Sequence, residues 1–501
     1  MPIAGVWVQV PPSVPKLFGN KKYTPPVFST TPVFLYFCSI KTAVMPNTIC
    51  AISTPPGLGA IAIVRASGSE AFPIAAKLFS SELHFESLPA QQAKFTQVYD
   101  KEQLIDQVVV TKFAAPHSYT GENMVEISCH GSLFIQKKIL ELLLDNGCRM
   151  ALPGEFTQRA FLNGKLDLPQ AEAVADLIES QSETTHRLAI NQLKGDFSKR
   201  IHLLREKFVQ MAALVELELD FSEEDVEFAN RDELLQLLDN LDEEVNLMIR
   251  SFKLGNVLKR GIPVAIVGKP NVGKSTLLNA LLQHERAIVS HIPGTTRDTI
   301  EDTIHIDGTL FRFIDTAGIR QSDDELESIG IQRTYQAIEE ASVILYMVDV
   351  TRTTPEEIES ELATFNRDMD MHDKLVVIVA NKIDELDVLP THYSKWHDLN
   401  VHFISAKRKV NIEEIQDQLR AFVQAHRIQD ATLLTNERHY ALLSSIAQSI
   451  ERIREGIRQQ IPTDLLAEDI RAALHDLGCL TGTIATDDLL NHIFGHFCIG
   501  K

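Results

Sequence analysis

Basic residues are in deficit. The chain of 501 residues carries 48 Lys and Arg against 68 Asp and Glu, a net charge of −20. That excludes a protein whose whole surface binds nucleic acid, and any RNA partner needs a local basic patch. Candidates are Arg187, Lys194, Lys199, Arg200, Arg205 and Lys207 on one helical stretch and Arg452, Arg454 and Arg458 on another. The six cysteines, at 38, 50, 129, 148, 479 and 498, form no Cys-x-x-Cys pair and no metal-ligand spacing. They fit a reducing cytosol. No Gly-x-Gly-x-x-Gly follows a strand pattern, so the chain carries no flavin or nicotinamide fingerprint of its own. Hydrophobic residues make up 44% and charged residues 23% of the chain, the balance of a globular protein long enough for two to four domains.

Residues 1–44 lack acidic groups altogether and hold four lysines, and no arginine precedes Arg65. Their apolar run, Pro32 to Ile40, is too short to span a bilayer. The order of charge and apolar core does not suit a signal peptide, and the missing arginines do not suit a transit peptide. We read residues 1–44 as an extension, disordered or not native, with Met45 as the natural start; an organellar targeting segment is the alternative.

What is present begins with Gly268-Lys269-Pro270-Asn271-Val272-Gly273-Lys274-Ser275, a match to G-x-x-x-x-G-K-[ST] at every position. It follows the apolar run Ile262 to Val267 and precedes a helical pattern over Ser275 to Leu282. In that setting the glycines let backbone N–H groups converge on phosphate oxygens. Lys274 can reach the outer phosphates, and the Ser275 hydroxyl can hold Mg²⁺ beside Thr276.

Three further motifs follow in chain order, each after a strand pattern. Asp315-Thr316-Ala317-Gly318 follows Leu310 to Ile314, with a carboxylate for the metal shell and a Gly318 N–H for the terminal phosphate. Asn381-Lys382-Ile383-Asp384 follows Leu375 to Ala380. Its aspartate can accept from the N1–H and exocyclic amine of guanine, a donor pair adenine lacks. Ser405-Ala406-Lys407 follows Val401 to Ile404 and closes the base pocket. Together they predict a GTP-binding domain at residues 257–425, with ligands at strand carboxyl ends. Pro293-Gly294-Thr295-Thr296-Arg297-Asp298 lies between the first two motifs and reads as a switch. There Thr296 ligates Mg²⁺ only while the terminal phosphate is present. Ile319 stands where Ras-like enzymes place a water-orienting glutamine, so hydrolysis is slow or another group serves. Asp323, Asp324, Glu325 and Glu327 are the nearest carboxylates, and spacing alone does not choose among them.

These residues resemble the bacterial tRNA-modification GTPase family MnmE, also called TrmE, over about residues 45–501. Three more stretches carry the resemblance: Thr54-Pro55-Pro56-Gly57 with Ile61 to Arg65, Pro153-Gly154-Glu155-Phe156-Thr157 through Phe161 to Leu168, and the chain end Cys498-Ile499-Gly500-Lys501. The resemblance implies a multidomain α/β architecture. An α+β folate-binding and dimerisation domain would span 45–163. An α-helical bundle would be built from 164–256 and 426–501, with a Ras-like P-loop domain on a doubly wound sheet inserted at 257–425.

The resemblance also implies roles. Asn271, Ser290, Ile292 and Thr295 would surround K⁺, with Ser290 standing where the family usually has threonine, and His291 lies within that nucleotide-binding stretch. Glu327 would orient the attacking water, with Lys274, Thr296 and Asp298 in the catalytic set. Arg65, Glu126, Lys165 and Lys501 would contact 5-formyl-tetrahydrofolate. Cys498 would lie near that site, either as a nucleophile or as a packed small residue. The implied enzyme is a K⁺-stimulated GTP hydrolase using Mg²⁺. It would be a cytoplasmic homodimer paired through its N-terminal domain, without stable membrane association. It would join a flavin- and NADH-using partner, MnmG (GidA), as a heterotetramer and install an aminomethyl or carboxymethylaminomethyl group at carbon 5 of the wobble uridine of certain tRNAs. A regulatory, RNA-associated GTP switch that modifies nothing is the competing reading from the GTP motifs alone.

Helical patterns run over Ala171 to Ser180, Phe208 to Leu219, Ala441 to Ile457 and Leu465 to Leu477, with apolar residues near every third or fourth position. They stand on both sides of the GTP motifs and predict one interrupted bundle.

Overall fold

A computed structural model describes residues 48–80, 83–220, 231–284, 302–314, 335–368, 371, 374–386, 401–425 and 433–501. Two sheets and a helical bundle make up the architecture.

The first sheet contains β1 (Ile49–Ile52), β2 (Ile61–Ser67), β3 (Ala93–Asp100), β4 (Gln103–Phe113), β5 (Met124–His130) and β6 (Arg149–Met150). Its order is β3-β4-β5-β2-β1-β6, antiparallel except for the β1–β6 pair. Alternation along β4 buries Val108 and Val110 against α1 (Ala71–Ala76) and α2 (Leu133–Asp145). In the β2–β5 register Arg65 lies directly opposite Glu126, which places opposite charges side by side on one face.

The second sheet contains β7 (Ile262–Val267), β8 (Asp302–Ile306), β9 (Thr309–Phe313), β10 (Val343–Asp349), β11 (Leu375–Asn381) and β12 (Val401–Ile404). Its order is β12-β11-β10-β7-β9-β8, parallel except for the β8–β9 hairpin. Every residue of β7 and β10 is buried, as expected of central parallel strands covered on both faces. Helices α8 (Lys274–His284), α9 (Pro355–Asp368) and α10 (Ile412–Ala425) complete the doubly wound layer. The strand order reverses between β7 and β10, the switch point where such sheets bind ligands.

Between the sheets run α3 (Glu155–Leu162), α4 (Leu168–Glu179), α5 (Glu183–Leu193), α6 (Asp196–Asp220) and α7 (Arg231–Arg260). After the second sheet come α11 (Glu437–Gln459), α12 (Thr463–Thr481) and α13 (Asp487–Phe494). Helix α4 opens on a capping box, Asp167 with Gln170, and α5 on another, Ser182 with Thr185. Phe208, Leu241, Ile450 and Leu477 from α6, α7, α11 and α12 share one core. The bundle is therefore made of helices on both sides of the second sheet, as the patterns predict. No helix among the described residues is long and apolar enough to cross a membrane.

Four of the bundle's candidate basic residues have acidic partners. Lys199 pairs with Asp196, Lys207 with Glu244, and Arg452 with Asp469. Arg454 is buried among Asp239, Asp242 and Glu451. Two of the three candidates on that stretch, Arg452 and Arg454, are thus paired with neighbouring acids.

Candidate functional site

The phosphate-binding loop leaves β7 at the switch point and enters α8. Gly273 has φ +102, and a Cβ there would stand 2.3 Å from Asn381 Nδ2. Only glycine allows that approach. Lys274 Nζ donates to the carbonyls of Gly268 at 2.8 Å and Lys269 at 3.0 Å. Burial pushes its pKa down, and a phosphate anion would supply the missing countercharge. Ser275 and Thr276 are exposed in the first turn of α8. Asn271 is exposed with φ +61, so its side chain is free to meet a ligand.

Asn381 ties the loop to the Ser405-Ala406 segment, expected to close the base pocket. Its Nδ2 donates to Val272 O at 2.8 Å, and its Oδ1 accepts from Ala406 N–H at 2.9 Å. Asn381 is buried, so both bonds are made away from water. Asp384 Oδ1 accepts from Ser405 Oγ at 2.6 Å. That hydrogen bond holds the Asp384 carboxyl below its ordinary range, which keeps it an acceptor. Lys382 adopts φ +74 and donates from Nζ to Asp349 Oδ2 at 2.6 Å. Lys407 is exposed beyond this pocket. Asp349 was not among the expected residues; its sequence signal is an acid at the carboxyl end of the apolar run Val343 to Val348.

Ser290, His291, Ile292, Pro293, Gly294, Thr295, Thr296, Asp298, Asp315, Thr316, Ala317, Gly318 and Glu327 lie outside the described residues. The fit to metal ions rests on Asn271 and Ser275, whose amide and hydroxyl oxygens suit hard cations such as Mg²⁺ and K⁺.

A second constellation sits on the first sheet. Arg65 Nε and Nη2 donate to Glu126 Oε1 at 3.0 and 2.7 Å. Both bonds fall on one oxygen, so Oε2 keeps accepting capacity. Arg65 Nη1 donates to Gly500 O at 3.3 Å, and the guanidinium lies 5.5 Å from the ring centroids of Tyr119 and Phe156.

The chain end is held by backbone. Gly154 N–H donates to Cys498 O at 3.4 Å, and Phe156 N–H to Lys501 O at 3.2 Å. Gly500 has φ +97, and a Cβ there would stand 2.4 Å from Ile52 O. Lys165 Nζ donates to Pro116 O at 3.1 Å, on the loop that supplies Tyr119. Arg65, Glu126 and the chain end therefore meet, with Lys165 at the other end of that loop. Cys498 is an exposed free thiol.

Beneath the tail, Glu155 takes hydrogen bonds from Arg149, the Leu152 N–H and Arg159. Burial pushes its carboxyl up, and these donors outweigh it and bring it below the ordinary range. This buried network, with Tyr119 and Phe156, was not legible as part of a site.

Two family models match: the GTP-binding protein TrmE N-terminus over residues 48–165 and the MnmE helical domain over residues 168–498. A protein named tRNA modification GTPase MnmE from Christiangramia forsetii is 48% identical over 472 positions, covering 91% of this chain and 99% of its own. Its namesake from Cytophaga hutchinsonii is 47% identical over 457 positions, covering 91% of this chain and 98% of its own. The solved G domain of the T. maritima FeoB iron transporter aligns at 23% identity over 32% of this chain and 99% of that one. Its TM-score of 0.24 is too low to bear on this fold.

Proposed function

The chain belongs to the tRNA modification GTPase MnmE family and is a GTP hydrolase, and from that premise we propose a finer reading of its chemistry. It is a K⁺-stimulated GTPase that acts with a flavin- and NADH-using partner of the MnmG (GidA) type. Together they install an aminomethyl or carboxymethylaminomethyl group at carbon 5 of the wobble uridine of certain tRNAs. The one-carbon unit derives from 5-formyl-tetrahydrofolate, and the chain works as a homodimer.

In this reading Asp384 and Ser405 select guanine, and Asn381 fixes their distance from the phosphate loop through Val272 and Ala406. Lys274 exchanges its bonds with loop carbonyls for bonds to phosphate oxygens. Ser275 and Thr296 would hold Mg²⁺, and Asn271, Ser290, Ile292 and Thr295 would hold K⁺. The two ions, when bound, supply positive charge against the phosphates. Glu327 orients the water that attacks, a role Ile319 cannot take.

The folate half rests on the docking of Cys498–Lys501 beside Arg65 and Glu126, which is the observation that carries the proposal. A guanidinium and an ammonium suit the glutamyl carboxylates, and Glu126 Oε2 suits the pterin's amine and ring N–H. The redox step belongs to the partner.

Calorimetry with 5-formyl-tetrahydrofolate on the intact chain and on a chain lacking Lys501, together with GTP turnover in K⁺ and in Na⁺, tests the proposal. We expect folate binding weakened by loss of Lys501 and turnover stimulated by K⁺ alone. Equal binding by both chains, or equal turnover in both salts, would contradict it.

A further inference from the structure

Helix α5 touches the GTP domain at the turn of the β8–β9 hairpin. Thr184 N–H donates to Gly308 O at 3.0 Å. The hydroxyls of Thr184 and Thr309 lie 3.1 Å apart, and both residues are buried. Gly308 has φ +72, and a Cβ there would stand 2.8 Å from Glu183 Cβ. Backbone meets backbone here without room for a side chain. In the sequence this hairpin joins Thr295-Thr296 to Asp315-Gly318, the two segments expected to touch the terminal phosphate. The hairpin is thus the covalent link between those two segments, and α5 holds its turn.

Helix α5 is tied back to α4. Gln170 Nε2 donates to Leu193 O at 3.0 Å, and Gln192 Nε2 to Pro169 O at 3.2 Å. Helix α4 in turn has two occupied faces. On one, Glu172 and Asp176 stand a turn apart. Glu172 accepts from Arg438 Nε at 2.9 Å and lies 2.6 Å from His439 Nε2, where the chain returns from the GTP domain. Asp176 pairs with Lys259 at 2.7 Å, where the chain leaves for it. On the other face, Leu168, Ala171 and Val174 pack against Phe494 and Phe497. Phe497 immediately precedes the docked Cys498–Lys501.

We propose that the α4–α5 hairpin is a strut that carries the nucleotide state of the GTP domain to the C-terminal tail, with Thr184 as the positioning residue that reads the β8–β9 turn. The strut rests on the GTPase reading. It adds that the hairpin turn, and not only the chain connections at Lys259 and Arg438, reports which nucleotide is bound. Coupling energies between sites are commonly worth about 5- to 150-fold in an equilibrium, which a short docked tail can register in its opening.

Hydrogen exchange on the full chain, with GDP or with the β,γ-imido analogue of GTP in Mg²⁺ and K⁺, tests the strut. The readout is the peptide covering residues 494–501. We expect its exchange to differ between the two nucleotides by about fivefold or more in the wild-type chain. Gly308→Ala, whose Cβ wedges the turn off Glu183, should abolish that difference while GTP is still bound and hydrolysed. The double variant Thr184→Val with Thr309→Val removes the hydroxyl pair but keeps its shape, a change close to neutral for stability. It should reduce the difference, and it decides the matter if Gly308→Ala fails to fold. A wild-type response retained in full by these variants overturns the strut. So does a wild-type chain that binds GTP with no change in the tail. A chain that binds no guanine nucleotide overturns the GTPase reading, and the strut with it.

Discussion

The guanine end of the GTP domain and the tail on the first sheet are built at opposite length scales. Asp384 meets Ser405 across 21 residues and Asn381 meets Ala406 across 25. Arg65 meets Gly500 across 435. The first set forms wherever β11 and β12 pair, because both motifs sit at the ends of adjacent parallel strands. The second relies on the packing of Phe494 and Phe497 against α4, which holds the chain end in place. Loop-closure entropy rises slowly with separation, so the long connection is not prohibitive in itself. It does make the tail depend on every interface in between. A locally built pocket is robust; a remotely built one is open to control.

The largest expected effect breaks an interface on which the tail depends. Glu172→Ala leaves Arg438 and His439 without their buried carboxylate, and urea unfolding should show a loss of about 3–5 kcal/mol. Burial pushes the Glu172 carboxyl up from 4.5, and the charges and hydrogen bonds of His439 and Arg438 outweigh it and bring it to about 2. A folded pKa below the unfolded one means its contribution is present above pH 4.5 and is lost as pH falls toward 2. Glu172→Gln should flatten that part of the Tm–pH curve; an unchanged slope would mean the cluster does not govern acid stability.

Next comes the phosphate end. Glu327→Ala should lower GTP turnover by about 10²-fold or more, with GTP affinity kept. An unchanged rate would hand the water to another carboxylate of residues 323–325. Smaller is the effect of Asn381→Ala, which strands the Val272 carbonyl and the Ala406 N–H. Each orphaned group costs about 1–3 kcal/mol, so the Kd for GTP should rise about tenfold or more. If it does not, the phosphate loop and base pocket are independent. The smallest effect is removal of Lys501, which deletes a charge and the Phe156 N–H to Lys501 O bond. Folate affinity should fall about tenfold, the scale of one hydrogen bond to a charged group, with GTP turnover unaffected.

The same difference in scale decides what the sequence made legible. Strand Ile262–Val267 coincides with its apolar run, because a strand buried on both faces needs no partner to be recognised. The phosphate loop and the guanine motifs are readable because their chemistry is packed into a few consecutive residues. Arg65 and Glu126 read as surface charges until the β2–β5 register sets them opposite one another. Sequence pattern does not specify register between strands 61 residues apart. Glu172 and Arg438, 266 residues apart, look like solvated helix charges in their own segments. Arg454 looked available for RNA, and only the fold reveals the acids around it.

Nucleoside mass spectrometry on tRNA tests most directly whether the two sites serve one reaction. A strain lacking the gene is complemented with the wild-type chain, with Asp384→Asn, or with a chain lacking Cys498–Lys501. We expect aminomethyl-type wobble uridines to be lost in the strain, restored by the wild-type chain, and restored by neither variant. Unchanged wobble nucleosides in the deletion strain, or full restoration by the chain without its tail, would contradict the account.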